Sequence, residues 1–136
     1  MPTRYLLDTN MASYVIKGNM PRVRERLLKV PMAQVAISTV TEAELLFGVA
    51  RRPEALRLKT AVEEFLLRVD RLPWDSDAAQ HYARVRAALE GDGEVIGNLD
   101  LMIAAHALAA RAVLVTHDRA FRRIRELKIE DWSKPR

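Results

Sequence analysis

The stretch Asn98-Leu99-Asp100-Leu101-Met102-Ile103-Ala104-Ala105-His106-Ala107-Leu108-Ala109-Ala110 decides how the chain folds. Ala and Leu, both strong helix formers, dominate it, and apolar side chains fill almost every position from Leu101 to Ala110. A surface helix carries one apolar stripe, whereas this pattern predicts a helix buried on most sides. Gly97 and Asn98 break the chain ahead of it, Arg111 closes it, and Ala112-Val113-Leu114-Val115 then reads as a strand. The single acid, Asp100, sits at the helix mouth, where the positive end of the macrodipole favours a carboxylate. The dipole makes Asp100 tolerable without saying what it is for.

Outward from that helix, the chain alternates short apolar runs with helical ones. Arg4-Tyr5-Leu6-Leu7 reads as a first strand stopping at Asp8-Thr9-Asn10, followed by a helix over Met11 to Lys17 that ends at Gly18-Asn19. Pro21 opens a basic helix through Lys29, and Val35-Ala36-Ile37 is a second strand. Ser38 and Thr41 precede a helix from Glu42 to Ala50, and a further helix runs from about Glu54 to Arg68. Val69 to Leu72 reads as a short strand, Asp75 to Leu89 as a helix, and Gly91-Asp92-Gly93 as a loop. Beyond the 112–115 strand come Thr116-His117-Asp118, the basic turn Arg119 to Arg125, and a last edge strand at Leu127-Lys128-Ile129. This alternation predicts an α/β fold, a three-layer sandwich around a mainly parallel sheet.

The 136 residues are expected to form a single domain over 1–136 that buries roughly two-thirds of its unfolded surface. No apolar stretch approaches the roughly 20 residues that span a bilayer, and the N-terminus carries no signal-peptide pattern, so no membrane association is expected. The absence of Cys excludes a disulfide framework and thiolate chemistry and makes the cytoplasm the expected location. Lys and Arg number 22 against 18 Asp and Glu, a net charge of +4 that is compatible with a polyanionic partner.

Within this frame four acids stand out. Asp8 follows the first strand, Glu44 lies in the first turn of the helix after the second, Asp100 opens the buried helix, and Asp118 follows the strand after it. In an open parallel sheet the carboxyl ends of the strands share one edge, and ligands bind in the crevice there. Convergence is costly alone: two carboxylates about 5 Å apart repel by roughly 3 kcal/mol at an effective dielectric of 20. Protonation or a divalent cation relieves that cost, and an all-oxygen set without Cys or a His pair favours Mg²⁺ or Mn²⁺ over zinc. In a basic protein such an ion points to phosphodiester hydrolysis by activated water. Each acid also has a purely structural reading. Asp8 caps the following helix; Thr41-Glu42-Ala43-Glu44 has capping-box spacing; Asp100 complements a dipole; Asp118 is a turn acid.

Leu6-Leu7-Asp8-Thr9-Asn10, Ala43-Glu44-Leu45 with Phe47-Gly48, Asp100-Leu101-Met102-Ile103-Ala104-Ala105-His106-Ala107, and Leu114-Val115-Thr116-His117-Asp118-Arg119-Ala120-Phe121 occur in order across nearly the whole chain. Together they resemble the PIN-domain ribonucleases, and among these the VapC toxins of VapBC toxin–antitoxin systems. The resemblance implies a Rossmann-like sheet of strand order 3-2-1-4-5 and a Mg²⁺- or Mn²⁺-dependent endoribonuclease that inhibits translation. The family's invariant acids map onto Asp8, Glu44 and Asp100. Its more variable fourth position maps onto Asp118, which is Asn in many similar toxins, so that Asp here implies tighter or second-metal binding. Thr9, Asn10 and Thr116 match polar positions that support the acids. The resemblance further implies a homodimer, a VapB-type antitoxin that blocks the site within a larger assembly, and structured RNA such as tRNA as substrate.

Other residues admit two readings. Arg119 and Arg122, within the run Arg119 to Arg125, are RNA-contact candidates or a solvated face. His106 is expected in a buried structural role away from Asp100, and His117 and His81 on the surface. Arg51 and Arg52 are expected in solvent, and Trp74 and Trp132 in core or dimer packing. Met11, Tyr14 and Val15, with Leu45 and Leu46, line either a groove for an antitoxin peptide or ordinary core. Two rival functions fit the same fold class. A phospho-receiver switch wants paired acids after strand one and a Lys after the last strand, but Asp8 stands alone and no such Lys follows. A catalytically idle RNA- or partner-binding module would retain the fold without needing the acids.

Overall fold

The computed structural model describes residues 2–135. Five strands form one sheet in the order β3-β2-β1-β4-β5, with β1 at Tyr5–Leu7, β2 at Val35–Ser38, β3 at Asp70–Leu72, β4 at Val113–Val115 and β5 at Ile129–Glu130. Every pairing is parallel, with Leu6 opposite Ala36 on one side and Leu114 on the other. The expected strand order is thus observed. The last strand begins two residues later than the apolar run suggests, because Ile129 is the residue in register with Leu114. Leu127 is instead a buried residue outside the ladder.

Six helices cover the sheet: α1 at Thr9–Lys17, α2 at Pro21–Leu28, α3 at Thr39–Ala50, α4 at Leu56–Arg68, α5 at Ser76–Gly91 and α6 at Asn98–Ala109. Strand side chains alternate between faces, so the sheet separates two cores. Leu6, Ala36 and Leu114 meet α5, α6 and Phe121 on one face. Leu7, Val35, Ile37 and Val115 meet Met11, Val23, Phe65 and Trp132 on the other. In α6, Leu101 and the run from Ile103 to Ala107 are all buried, as the apolar sequence requires. Each such Leu or Ile contributes roughly 1.5–3 kcal/mol through its removal from water. The helix ends in a left-handed turn at Arg111 (φ 54°), where the amides of Arg111 and Ala112 bond back to Leu108 and Ala107. Among the described residues no helix is long and apolar enough to cross a membrane.

One start differs from expectation in a way that matters. Helix α3 begins at Thr39, not Glu42, because Ser38 is its cap and accepts a hydrogen bond from the Val40 amide at 3.1 Å. Glu44 therefore stands in the second turn, and Thr41, already inside the helix, is not the cap. The capping-box account of Glu44 falls with it.

Candidate active site

The parallel order brings the ends of β1, β2 and β4 to one edge, and each junction there delivers a polar group. Asp8, 4% exposed, caps α1: one carboxylate oxygen accepts from the Met11 amide at 2.8 Å. Its other oxygen accepts from the Thr116 hydroxyl at 2.5 Å. Thr116, buried after β4, in turn accepts from the Asp118 amide at 3.0 Å, so one hydroxyl ties the β1 and β4 junctions together. Asp118 is exposed and accepts from the Ala120 amide at 2.9 Å. Glu44, half-buried on α3, accepts from the Thr9 hydroxyl at 2.6 Å, and Thr9 also lies 3.2 Å from the buried Thr41 hydroxyl. Asp100, in the first turn of α6, makes no side-chain hydrogen bond among the described residues.

The electrostatics show which acids meet. Burial pushes Asp8 up from 3.8 to about 6; the bonds from Thr116 and Met11 work against this, and the charges of Asp100 and Asp118 add to it. Burial likewise raises Asp100, followed by repulsion from Asp118 and Glu44. Asp100 is the hub: it feels Asp118 and Glu44 directly, and Asp8 feels it in turn. Capping is thus a true but incomplete account of Asp8, since a cap alone has no reason to sit among other carboxylates.

The donor set suits a hard divalent cation, being all oxygen and rich in repelling negative charge. Among the described residues no three acids or histidines close on a single point. Mg²⁺ keeps several waters and binds through one or two carboxylates plus phosphate oxygens, so it does not require three side chains closing on one point.

The other sequence candidates divide. Thr9 and Thr116 join the network, whereas Asn10 is exposed on α1 and makes no side-chain hydrogen bond among the described residues. Thr41 is a supporting residue that the sequence motifs do not mark, although its place three residues before Glu44 puts both on one helix face. His106 is buried against the Ser38 hydroxyl at 2.7 Å, away from the acids, as expected. His117 is exposed and 3.0 Å from Asp131. Trp132 is fully buried, and the Trp74 indole donates to the Met102 carbonyl at 2.9 Å. Arg123 is tied to Glu94, leaving Arg119 and Arg122 exposed beside Asp118.

Of the two readings for the first and third helices the core one holds: Met11 and Leu45 are buried on one sheet face with Tyr14 and Val15 packed against them, while Leu46 is exposed. A groove of about 740 Å³ lies instead beside Glu44, lined by Phe47, Leu99 and Met102. Arg51 is exposed, as expected, and its guanidinium sits 5.4 Å above the Phe47 ring at the groove's border.

A small doubly wound domain with acids gathered at the carboxyl edge of its sheet is the class that fold and site define together. Residues 5–127 match the family model described as PIN domain. The chain is 37% identical to the tRNA(fMet)-specific endonuclease VapC of Shigella flexneri, over 96% of this chain and 98% of that protein. In solved structures it is similar to the DNA-bound VapBC of Salmonella typhimurium, with a TM-score of 0.89 and 36% identity over 96% of this chain and 99% of that one. It is likewise similar to VapBC2 of Rickettsia felis bound to a promoter DNA fragment, with a TM-score of 0.88 and 32% identity over 96% and 99% of the two chains. The chain belongs to the PIN-domain family and, within it, to the VapC ribonucleases.

Proposed function

We propose that this chain is the endoribonuclease toxin of a VapBC pair and that Asp8, Glu44, Asp100 and Asp118 hold Mg²⁺ or Mn²⁺ at its active site. The observation that carries the reading is the gathering of Asp8, Glu44 and Asp118 at the carboxyl edge of the sheet, tied together through Thr9 and Thr116, with Asp8 and Asp100 both raised by burial and then by neighbouring acids. Such shifts arise where charges are gathered for a purpose other than stability. A divalent cation bound there supplies Lewis acidity, which makes water nucleophilic and offsets charge growing on the phosphate. The chain's own residues position that chemistry. Thr116 and the Met11 amide orient Asp8, Thr9 orients Glu44, and the unpartnered Asp100 carboxylate stays free to bind. Arg119 and Arg122, exposed beside Asp118, attract the RNA backbone.

The VapC and VapBC relatives extend the reading to partners. A VapB-type antitoxin covers the site, and the apolar groove beside Glu44 offers its peptide a seat. A homodimer and a larger toxin–antitoxin assembly belong to the same reading, with structured RNA, tRNA foremost, as substrate. The test is cleavage of total RNA by antitoxin-free protein, with Mn²⁺ and with EDTA, for the unsubstituted chain and Asp100→Asn. The reading predicts cutting that needs the metal and the Asp100 carboxylate; metal-independent cutting, or full activity in the variant, contradicts it.

A further inference from the structure

Many arginines of this molecule are already committed to acids: Arg26 to Glu130, Arg71 to Glu42, Arg84 to Glu126 and Arg123 to Glu94 are examples. Arg119, Arg122 and Lys134 are not, since among the described residues none of their side chains makes a hydrogen bond or ion pair. All three line one cavity of about 540 Å³, together with His117, Asp118 and Asp131. With its two acids counted, the lining still carries three cations against two carboxylates. Asp131 is spent internally: it accepts from the Ser133 amide at 2.9 Å and the Ser133 hydroxyl at 2.5 Å, and meets His117 Nδ1 at 3.0 Å. Burial opposes ionisation of Asp131, but these bonds outweigh it and hold its carboxyl below the ordinary range. Asp118 and Thr116 form the wall toward the other acids: the Thr116 hydroxyl donates to Asp8 and accepts from the Asp118 amide. The cavity therefore adjoins the acids through Thr116 and Asp118 and presents more positive than negative side chains.

A nucleic-acid strand whose scissile phosphate lies at the acids carries its next charge one nucleotide away. We propose that this cavity is a phosphate subsite, in which Arg119, Arg122 and Lys134 hold the RNA backbone phosphate neighbouring the one that is cut. Guanidinium forks match phosphate oxygens in pairs, and a lysine adds a mobile point charge. Backbone contacts carry no sequence information, so the subsite sets affinity and register, not the choice of target. The inference rests on the nuclease reading proposed for the acids.

The test measures binding without cutting. In the Asp100→Asn background, the affinity for a labelled RNA hairpin is followed between about 50 and 200 mM salt, with and without Arg119→Gln, Arg122→Gln and Lys134→Gln together. A matched control replaces Arg57, Lys59 and Arg68, exposed on α4, by Gln. The subsite variant is expected to bind on the order of tenfold more weakly or worse, with a log–log salt slope smaller by about 0.7 for each phosphate no longer neutralised. The control keeps both affinity and slope. Should the triple variant fail to fold, each single substitution is expected to lower the slope by up to about 0.7. Unchanged slope and affinity, or equal weakening in the control, overturn the subsite. Mn²⁺-dependent cleavage by the unsubstituted chain is read separately. Its absence with the slope difference intact overturns the nuclease reading alone, and its presence without a slope difference overturns the subsite alone.

Discussion

Asp8 and His106 are equally hidden, each 4% exposed, and burial pushes both toward their neutral forms, yet only Asp8 sits among like charges. His106 is a buried polar group at rest. It meets Ser38, the residue that caps α3, and burial lowers its pKa toward the neutral form an interior tolerates, with the Asp75 charge pulling weakly the other way. Asp8 has more help, a backbone amide and a hydroxyl, and is still pushed up to about 6. Burial is the largest cause of both shifts; the two differ in that the charges of Asp100 and Asp118 add to it at Asp8, whereas the one charge acting on His106, that of Asp75, works against it. Burial with one good partner builds a core. Burial beside like charges leaves a site that is stable only with a proton or a cation in it.

The largest effect expected from this contrast is on chemistry. Asp100→Asn should lower RNA cleavage on the order of a thousandfold, the scale of losing one group from a preorganised electrostatic site, while the melting temperature holds or rises. His106→Leu should leave metal dependence intact, and a matching loss of metal-dependent cleavage there would erase the distinction between the two sites.

Stability should show the opposed signs directly. The unfolded chain releases the Asp8 proton near 3.8 and the folded chain near 6, so the folded state binds more protons in that window and loses stability as pH rises through it. Fully developed, the loss is roughly 3 kcal/mol, at about 1.4 kcal/mol per unit. Asp8→Asn, which can still cap α1, should abolish that slope and raise the metal-free melting temperature at pH 7. For His106 the sign reverses. The unfolded chain takes up its proton at 6.5 and the folded chain only at lower pH, so stability falls as pH drops below 6.5. His106→Leu should remove this acid-side slope but leave the Ser38 hydroxyl with only the Val40 amide as partner, at a cost of about 1–3 kcal/mol in urea unfolding. The smallest effect belongs to Thr116→Val. Losing its bond to Asp8 should raise the Asp8 midpoint further, by up to about one unit, as read by carboxyl NMR titration.

Much of this arrangement is legible in the chain alone. The apolar run after Gly97 places α6 within a residue of its observed end, and strand–helix alternation gives the parallel sheet whose edge collects the acids. What escapes is set by distant partners. Ser38 and Thr41 are both good caps, and only the register of β2 against β3, with Ser38 opposite Leu72, decides between them. The bond from Thr9 to Glu44 joins residues 35 apart in the chain. Apolar spacing marks Met11 and Leu45 as inward on some face without saying whether that face is groove or core. The pairing of Asp131 with His117, just beyond the ends of the neighbouring strands β5 and β4, leaves no local pattern, so the cavity beside Asp118 cannot be read from the basic run that partly lines it.

A cation taking the place of a proton among crowded carboxylates is the central claim, and calorimetric titration of the metal-free protein with Mn²⁺ near pH 6 tests it most directly. Binding should release protons, so that the measured heat changes with the ionisation enthalpy of the buffer, and both binding and release should weaken sharply in Asp8→Asn and Asp100→Asn. Heats identical in every buffer, or unchanged by the two substitutions, would contradict it.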